Sequence, residues 1–281
     1  YPRQVALAET IVGSNVTQDT TWSGDTYRVT KAISVNSGVR LTIAPGTIVK
    51  FDENAGIDVY GQLRALGDPG NEVVFTSDLA YNGAWRGLRF YYDGAYRGPN
   101  EISYTVIEYG GSLGGSVSTD NATVAIDNTL IRAGSTDGVH GYAGGGATVL
   151  DTTIEDHLGY ALNFIDPQVD PVLGGLQATG NGHNAIGLVG GGGNMGGGAL
   201  WENAGLPYEI LGTGFTVAAG ETLTVEAGVT MRFSEDSTLY VAGRLIAVGA
   251  PEQPITFSAT SPTPGYWEGF NIIGSFASPA M

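Results

Sequence analysis

An all-β solenoid, coiled from short parallel strands, is the fold this sequence predicts, and three observations carry the prediction. The stretch Leu41–Ser77 returns at Leu223–Ala259, and the correspondence runs without a gap from Ile33/Phe215 to Gly87/Gly269, an offset of 182 residues. Identical pairs include Gly46/Gly228, Phe51/Phe233, Val59/Val241, Gly61/Gly243, Leu63/Leu245, Phe75/Phe257 and Trp85/Trp267. A repeat of this length means stacked copies of one structural unit. From Asn15 onward the chain also reads as runs of 4–7 residues with alternating apolar positions, divided by Gly, Asp, Asn or Pro, the pattern of strands and turns. Finally, the apolar pairs Leu41/Ile43, Ile57/Val59, Val73/Phe75, Leu88/Phe90 and Tyr104/Val106 recur at a step of about 16 residues, which lengthens after Gly110 to 23–25. Many short strands at regular spacing mark a solenoid.

The composition agrees. Of 281 residues 45 are glycine, about twice the usual share, without the G-X-Y spacing of collagen. No window of helical length is amphipathic, which argues against strands linked by helices. A net charge of −16, with 12 basic residues against 28 acidic, makes nucleic acid or an anionic membrane a poor partner. Without cysteine there is no disulfide, thiolate metal site or Cys nucleophile. No apolar run approaches the roughly 20 residues of a membrane-spanning helix. The opening YPRQVALAET is not a signal peptide, which leaves a cytosolic protein or, the preferred expectation, a mature secreted one whose signal was removed.

Taken in order, residues 1–13 read as an N-terminal arm. Residues 14–198 form a first module, in which VTQDTTW, TYRVT, AISV, VRLTI, TIVKF, IDVYG, QLRALG and EVVFTS are successive strands. ATVAIDNTLIRAG, from Ala122, is echoed by ATVLDTTIEDHLG, from Ala147, so that Ile131 matches Ile154 and Val139 matches Leu162. Glycine-rich tracts at 112–117, 143–147 and 189–199 read as loops between coils, the last as a linker. Residues 199–281 form a second, incomplete module. In each coil Val, Ile, Leu and Phe face inward, and the next coil repeats them about 4.8 Å on. Glycine and asparagine take the corners, where φ turns positive. The competing antiparallel sandwich needs hairpin turns, and Asn-Gly occurs only at Asn82–Gly83 and Asn181–Gly182.

The order DTTW (19–22), Tyr27, Gly38–Phe51, Val59–Gly67, Val73–Ser77 and Trp85–Leu88, followed by GNGHNAI (180–186), Trp201 and LPY (206–208), resembles the right-handed parallel β-helix repeat proteins that many bacteria secrete or display on their surface. The resemblance spans nearly the whole chain. It implies a right-handed parallel β-helix and an extracellular or cell-surface location, and it implies no single function.

Other β-helices cleave polysaccharides, so paired carboxylates were sought. The candidates are Asp127, Asp151, Glu155, Asp156, Asp166 and Asp170, with Asp127 and Asp151 at similar places after the two ATV strands. Each also reads as a turn or solvated residue. Arg132 is the one basic residue between Arg97 and Arg232, little material for a lyase base. His140 and His157, on adjacent coils, and His183 read as corner or surface histidines, with a metal pair as the alternative. Asp52 and Glu53 in one copy, and Glu235 and Asp236 in the other, sit at equivalent acidic turns that suit Ca²⁺; no other cofactor is expected. Asn15 and Asn121 open glycosylation sequons. The aromatic run FYYDGAY (90–96), with Tyr81, Tyr104 and Tyr109, offers rings that stack on sugars.

A solenoid leaves its ends open. The second copy stops just after Trp267, and the strand GFNIIGSF (269–276) is apolar and carries no Lys or Pro guard. Trp267, Phe270, Ile272, Ile273 and Phe276 would therefore meet Val16, Trp22, Tyr27 and Val29 of another copy, head to tail, in a non-closing contact that builds filaments. The expected function is that of an extracellular structural β-solenoid, not an enzyme. Carbohydrate binding or cleavage, or a place in a larger adhesin, are the alternatives.

Overall fold

The computed structural model of the protein describes residues 9–92, 94, 98–165, 171–195 and 198–273. Among these residues every regular element is a β-strand, and no helix is long and apolar enough to cross a membrane. Among the described residues the strands pair in parallel, and the protein is a parallel β-solenoid. The chain divides into two compact units, Tyr1–Asn163 with Pro171–Asn184 and Phe164–Asp170 with Ala185–Met281. The sequence placed its module boundary at 198/199. Residues 1–8 of the expected arm lie outside the described residues, while Thr10–Val12 is a strand paired with Tyr27–Val29.

In the first unit the chain visits three faces in a constant order. Face C holds Thr20–Trp22, Arg40–Ile43, Gln62–Leu66, Asn100–Ser103, Thr123–Asp127, Gly146–Leu150 and Val172–Gly174. Face A holds Thr26–Val29, Ile48–Phe51, Val73–Thr76, Thr105–Glu108, Leu130–Arg132, Thr153–Glu155 and Gln177–Thr179, with Thr10–Val12 at its edge. Face B holds Ala32–Val35, Gly56–Val59, Leu88–Tyr91, Gly115–Asp120 and Asp137–Gly141. Alternation sends every second side chain inward, and the register stacks like on like. Face C stacks Ile43, Ala65, Ile102, Ile126, Val149 and Leu173 in one buried column. Face A stacks Val49, Phe75, Ile107, Ile131 and Ile154, and face B stacks Ile33, Ile57, Leu88, Val117 and Val139. Burying each large side chain stabilises the coil by about 1.5–3 kcal/mol.

The step of about 16 residues is not one coil. Leu41, Ile57 and Val73 lie on faces C, B and A in turn, and Tyr104 is a corner residue with φ 45°. A full turn carries Ile43 to Ala65 and Ile131 to Ile154. Alternation within one strand says which residues point inward, but not which face the strand belongs to.

Corners are single residues in the left-handed region, stacked coil on coil. Tyr104, Asn128, Asp151 and Gly175 have φ of 45°, 46°, 44° and 64°. Tyr109, Ala133, Asp156 and Gly180 have φ of 64°, 54°, 58° and 67°. These columns sit where the chain leaves face C for face A and face A for face B, as the flanking strands show. Non-glycine residues hold this strained conformation because the strands on either side over-determine it.

The second unit repeats part of this plan. Thr222–Val225, Thr230–Phe233, Thr238–Val241, Arg244–Ala247, Thr256–Ala259 and Gly269–Ile272 follow one another as their counterparts do in the first unit. Asn54 and Asp236 share a positive φ (59° and 56°), as do Gly83 and Gly265 (79° and 75°). Trp85 stacks on Phe51 with centroids 4.0 Å apart, and Trp267 on Phe233 at 4.2 Å. A side chain at Gly61 would meet the carbonyl oxygens of Val39 and Asn36; one at Gly243 would meet those of Glu221 and Ala218, the equivalent residues.

The glycine tracts read as loops divide: 112–114 and 143–145 lie outside the strands, while the rest of these two tracts and 189–195 are strand. Gly115–Asp120, Gly146–Leu150 and His183–Met195 are strands. Close approach of neighbouring backbones explains them: a Cβ at Gly190 would lie 2.1 Å from the Gly214 carbonyl oxygen, and one at Gly145 2.2 Å from that of Thr119. Tyr208–Val217 runs on as one strand because Gly212 and Gly214, both at positive φ, bend it. Its first part pairs with Thr230–Phe233 and its last with Thr238–Val241.

Candidate functional site

The outward side of face B carries the most developed site among the described residues. One outward column runs Asp58, Arg89, Ser118, His140 in register. Two residues further along each strand lie Tyr60, Tyr91, Asp120 and Tyr142, of which Tyr91 and Asp120 are in register. Tyr60 and Tyr91 stack with centroids 4.9 Å apart and planes within 14°. The Arg89 guanidinium lies 5.2 Å from the Tyr91 ring centroid and 3.7 Å from Asp58. A stacked pair and a cation over a ring each add about 0.5–1.5 kcal/mol, so these rings are held in place. Burial pushes the Tyr91 phenol up from its ordinary value, which keeps it a hydroxyl donor. Beside them opens a cavity of about 280 Å³ lined by Arg89, Phe90, Tyr91, Ser118, Thr119, Asp120 and Tyr142.

Next to this cavity, reached through its wall residues Ser118 and Tyr142, lies a buried polar network. Asp137, 7% exposed, opens its strand and turns back onto the following coil. Its Oδ1 accepts from the Tyr160 amide at 2.7 Å. Its Oδ2 takes His140 Nδ1 at 2.7 Å and Asn163 Nδ2 at 3.0 Å. Gly159 makes the fold-back possible, since a Cβ there would sit 2.3 Å from Asp137 Oδ1. A carboxylate accepts, so Nδ1 carries a proton, and in the neutral imidazole this leaves Nε2 as an acceptor. His140 is 7% exposed, and its Nε2 has no hydrogen-bond partner among the described residues. Tyr142 tilts against the ring, centroids 4.3 Å apart, and reaches Gly114, where an added Cβ would meet its hydroxyl.

His157 is a separate case. It is 1% exposed, with Nδ1 2.9 Å from the Glu155 carbonyl oxygen and Nε2 3.1 Å from Ser116 Oγ. Nδ1 must donate to that carbonyl, so Nε2 accepts from the serine. Desolvation holds its pKa below the ordinary value. His183 stacks on Tyr160 at 4.1 Å. The three histidines thus have different partners, and among the described residues no group of three or more His, Asp or Glu side chains is placed to hold a metal.

The other sequence candidates disperse. Asp127 pairs in register with Leu150, not with Asp151, which takes the corner below Asn128. The apolar pairs Val124/Ala147 and Ile126/Val149 set this register and override the matching ATV triplets, so the two aspartates do not stack. Asp156 is likewise a corner, with Gly180 of the next coil under its Oδ1. Glu155 lies 4.0 Å from Arg132, whose guanidinium is held 2.7 Å from Glu108 and raised above its usual value, so it stays a cation. Asp166 and Asp170 lie outside the described residues. At the proposed calcium turns Asp52 is bound by Arg28 at 2.9 Å, in a network with Glu9, Lys50 and Asp78. Glu53 accepts from the Tyr81 hydroxyl at 3.2 Å, Asp236 is a corner residue and Glu235 is exposed.

Of the assembly residues, Val16, Trp22 and Val29 are buried at 7%, 5% and 0%, and Tyr27 stacks on Trp22. Phe270, Ile272 and Ile273 are 40%, 68% and 61% exposed. Trp267 is half-buried on Phe233, and Phe276 lies outside the described residues. Reading the sequence did not single out Tyr60, Arg89, Ser118, Asp120, Asp137, Tyr142 or Asn163. The signal was a coil-to-coil offset of 22 on face B, which sets Ser118 beside His140.

No protein-family model matches the chain, and no solved structure does. A stretch of 75 residues, 27% of the chain, is 33% identical to protein bark beetle of Drosophila melanogaster and spans 2% of that protein's length.

Proposed function

We propose that this β-solenoid is an extracellular or surface-displayed structural protein that binds a neutral polysaccharide along face B without cleaving it. The cavity walled by Tyr91, Arg89, Ser118, Asp120 and Tyr142 supports this reading. Fixed aromatic rings beside a few convergent hydrogen-bonding groups suit the apolar faces and hydroxyl edges of sugars. Neutral chemistry is favoured because Arg89 already shares its charge with Asp58 and the protein carries −16, which repels polyanions. Among the described lining residues Asp120 is the one carboxylate, whereas glycoside cleavage works with a facing pair. The resemblance to secreted bacterial β-helix repeat proteins supports the location. The test is a glycan array of neutral and anionic oligosaccharides, followed by calorimetry. Neutral glycans should bind, and Tyr91→Ala should weaken binding roughly tenfold. Reducing-sugar release, or exclusively anionic ligands, would overturn the reading.

A second reading, end-to-end self-association into a filament or fibre, is favoured by the exposed Phe270, Ile272 and Ile273. Electron microscopy at high protein concentration tests it. Fibres abolished by Ile272→Lys are expected, and dispersed monomers alone would exclude it.

A further inference from the structure

We propose that the Asp137–His140 pair is the hydrogen-bonding anchor of the face B cavity, with His140 Nε2 accepting the proton of one hydroxyl of a neutral glycan. This assignment rests on the carbohydrate reading above and names the group that would give it specificity.

The buried hydrogen bonds around Asp137 leave one acceptor over. Asp137 accepts from the Tyr160 amide, Asn163 Nδ2 and His140 Nδ1 at 2.7, 3.0 and 2.7 Å. A neutral His140 spends its one proton on that carboxylate and is left with a buried Nε2 that no group among the described residues satisfies. A buried acceptor without a donor is costly, and native proteins rarely keep one that has no role. Purely structural histidine in this same protein looks different: both ring nitrogens of His157 have partners.

Position gives the orphan atom its meaning. Ser118, the in-register neighbour of His140, lines the cavity, and so does Tyr142, which packs on the imidazole. The ring is thus held by Asp137 and in contact with the cavity wall. Its tautomer is set before any ligand arrives, so little ordering cost is left for binding. A lone pair selects a hydroxyl donor over a carboxylate or phosphate, which would bring a second acceptor to Nε2. Tyr142 packs on the ring with its hydroxyl beside Gly114, so a ligand that reaches Nε2 turns this side chain aside.

The experiment uses the full chain and the best neutral hexasaccharide from the array. Long-range proton–nitrogen spectra of labelled protein report each imidazole nitrogen. On adding the sugar, the His140 Nε2 resonance should move while the two His157 nitrogens stay put. His140→Phe, which keeps a ring but no acceptor, should bind roughly tenfold more weakly. If the sugar binds and Tyr91→Ala loses it, yet the His140 signal is unmoved, the anchor assignment is wrong and the carbohydrate reading stands. If no neutral glycan binds, both fall together. Should His140→Phe fail to fold, the spectrum of the unaltered protein still decides.

Discussion

At the scale of single residues, the solenoid's demands are steric and are met mainly by glycine. Gly61 sits where a side chain would lie 2.1 Å from the Val39 carbonyl oxygen and 2.4 Å from that of Asn36. Those oxygens belong to the adjoining coil and cannot retreat. Gly24, by contrast, has a positive φ, 72°, and nothing lies within 4 Å of its missing Cβ. Gly61→Ala should therefore destabilise by about 3 kcal/mol or more, and Gly24→Ala by about 1 kcal/mol from its backbone alone; denaturant unfolding of both compares them. His157 makes a different prediction. Desolvation lowers its folded pKa from the ordinary 6.5, so the unfolded chain binds the proton more readily. Its contribution is full above that ordinary value and is lost as the pH falls below it, by at most about 1.4 kcal/mol per pH unit. Guanidinium midpoints should drop between pH 7 and pH 5, and His157→Gln should flatten that slope. An unchanged slope would mean that His157 is not neutral in the fold.

Among the strands, what matters is which side chain stands over which. The repeat supplies an internal comparison. Trp85 is 0% exposed on Phe51, whereas Trp267, the same position in the second copy, is half-buried on Phe233. Removing a buried tryptophan costs about 3–5 kcal/mol. Trp85→Ala should cost that much and Trp267→Ala about half, measured by chemical denaturation. Equal losses would show that Trp267 is covered as fully as its counterpart. The strands themselves were legible, because alternation of apolar residues is a local property. VRLTI, TIVKF and VVFTS all become strands with the expected inward residues. The tract from 189 was misread, and the first two only at their C-terminal ends, because a glycine-rich loop and a strand pressed against a neighbouring backbone look alike in sequence. Only the Gly214 carbonyl 2.1 Å from a Cβ at Gly190 tells them apart.

For the molecule as a whole, charge and exposed apolar strand oppose each other. Copies carrying −16 repel, while Phe270, Ile272 and Ile273 face solvent. Salt screens the repulsion over about 10 Å at 0.1 M and about 3 Å at 1 M. Under the self-association reading, the sedimentation coefficient should rise with sodium chloride at fixed protein concentration. Ile272→Lys should remove the rise, and a coefficient independent of salt would count against association through this strand.

What the sequence determined by itself was the solenoid, its inward columns, its repeat and the glycine or asparagine at many of its corners. Each is written locally, in a period of two, in a few positions that tolerate positive φ, or in identity at a constant offset. The tertiary structure alone decided which residues of neighbouring coils meet. That depends on the number of residues spent on every corner of a turn, summed until the apolar columns align. By this sum Asp127 comes to lie over Leu150 and misses Asp151, and Ser118 comes to lie beside His140. The Asp137–His140 pair was hidden for a related reason. Residues three apart on a regular strand point to opposite faces, and only the turn at the start of the Asp137–Gly141 strand brings the carboxylate round to the imidazole.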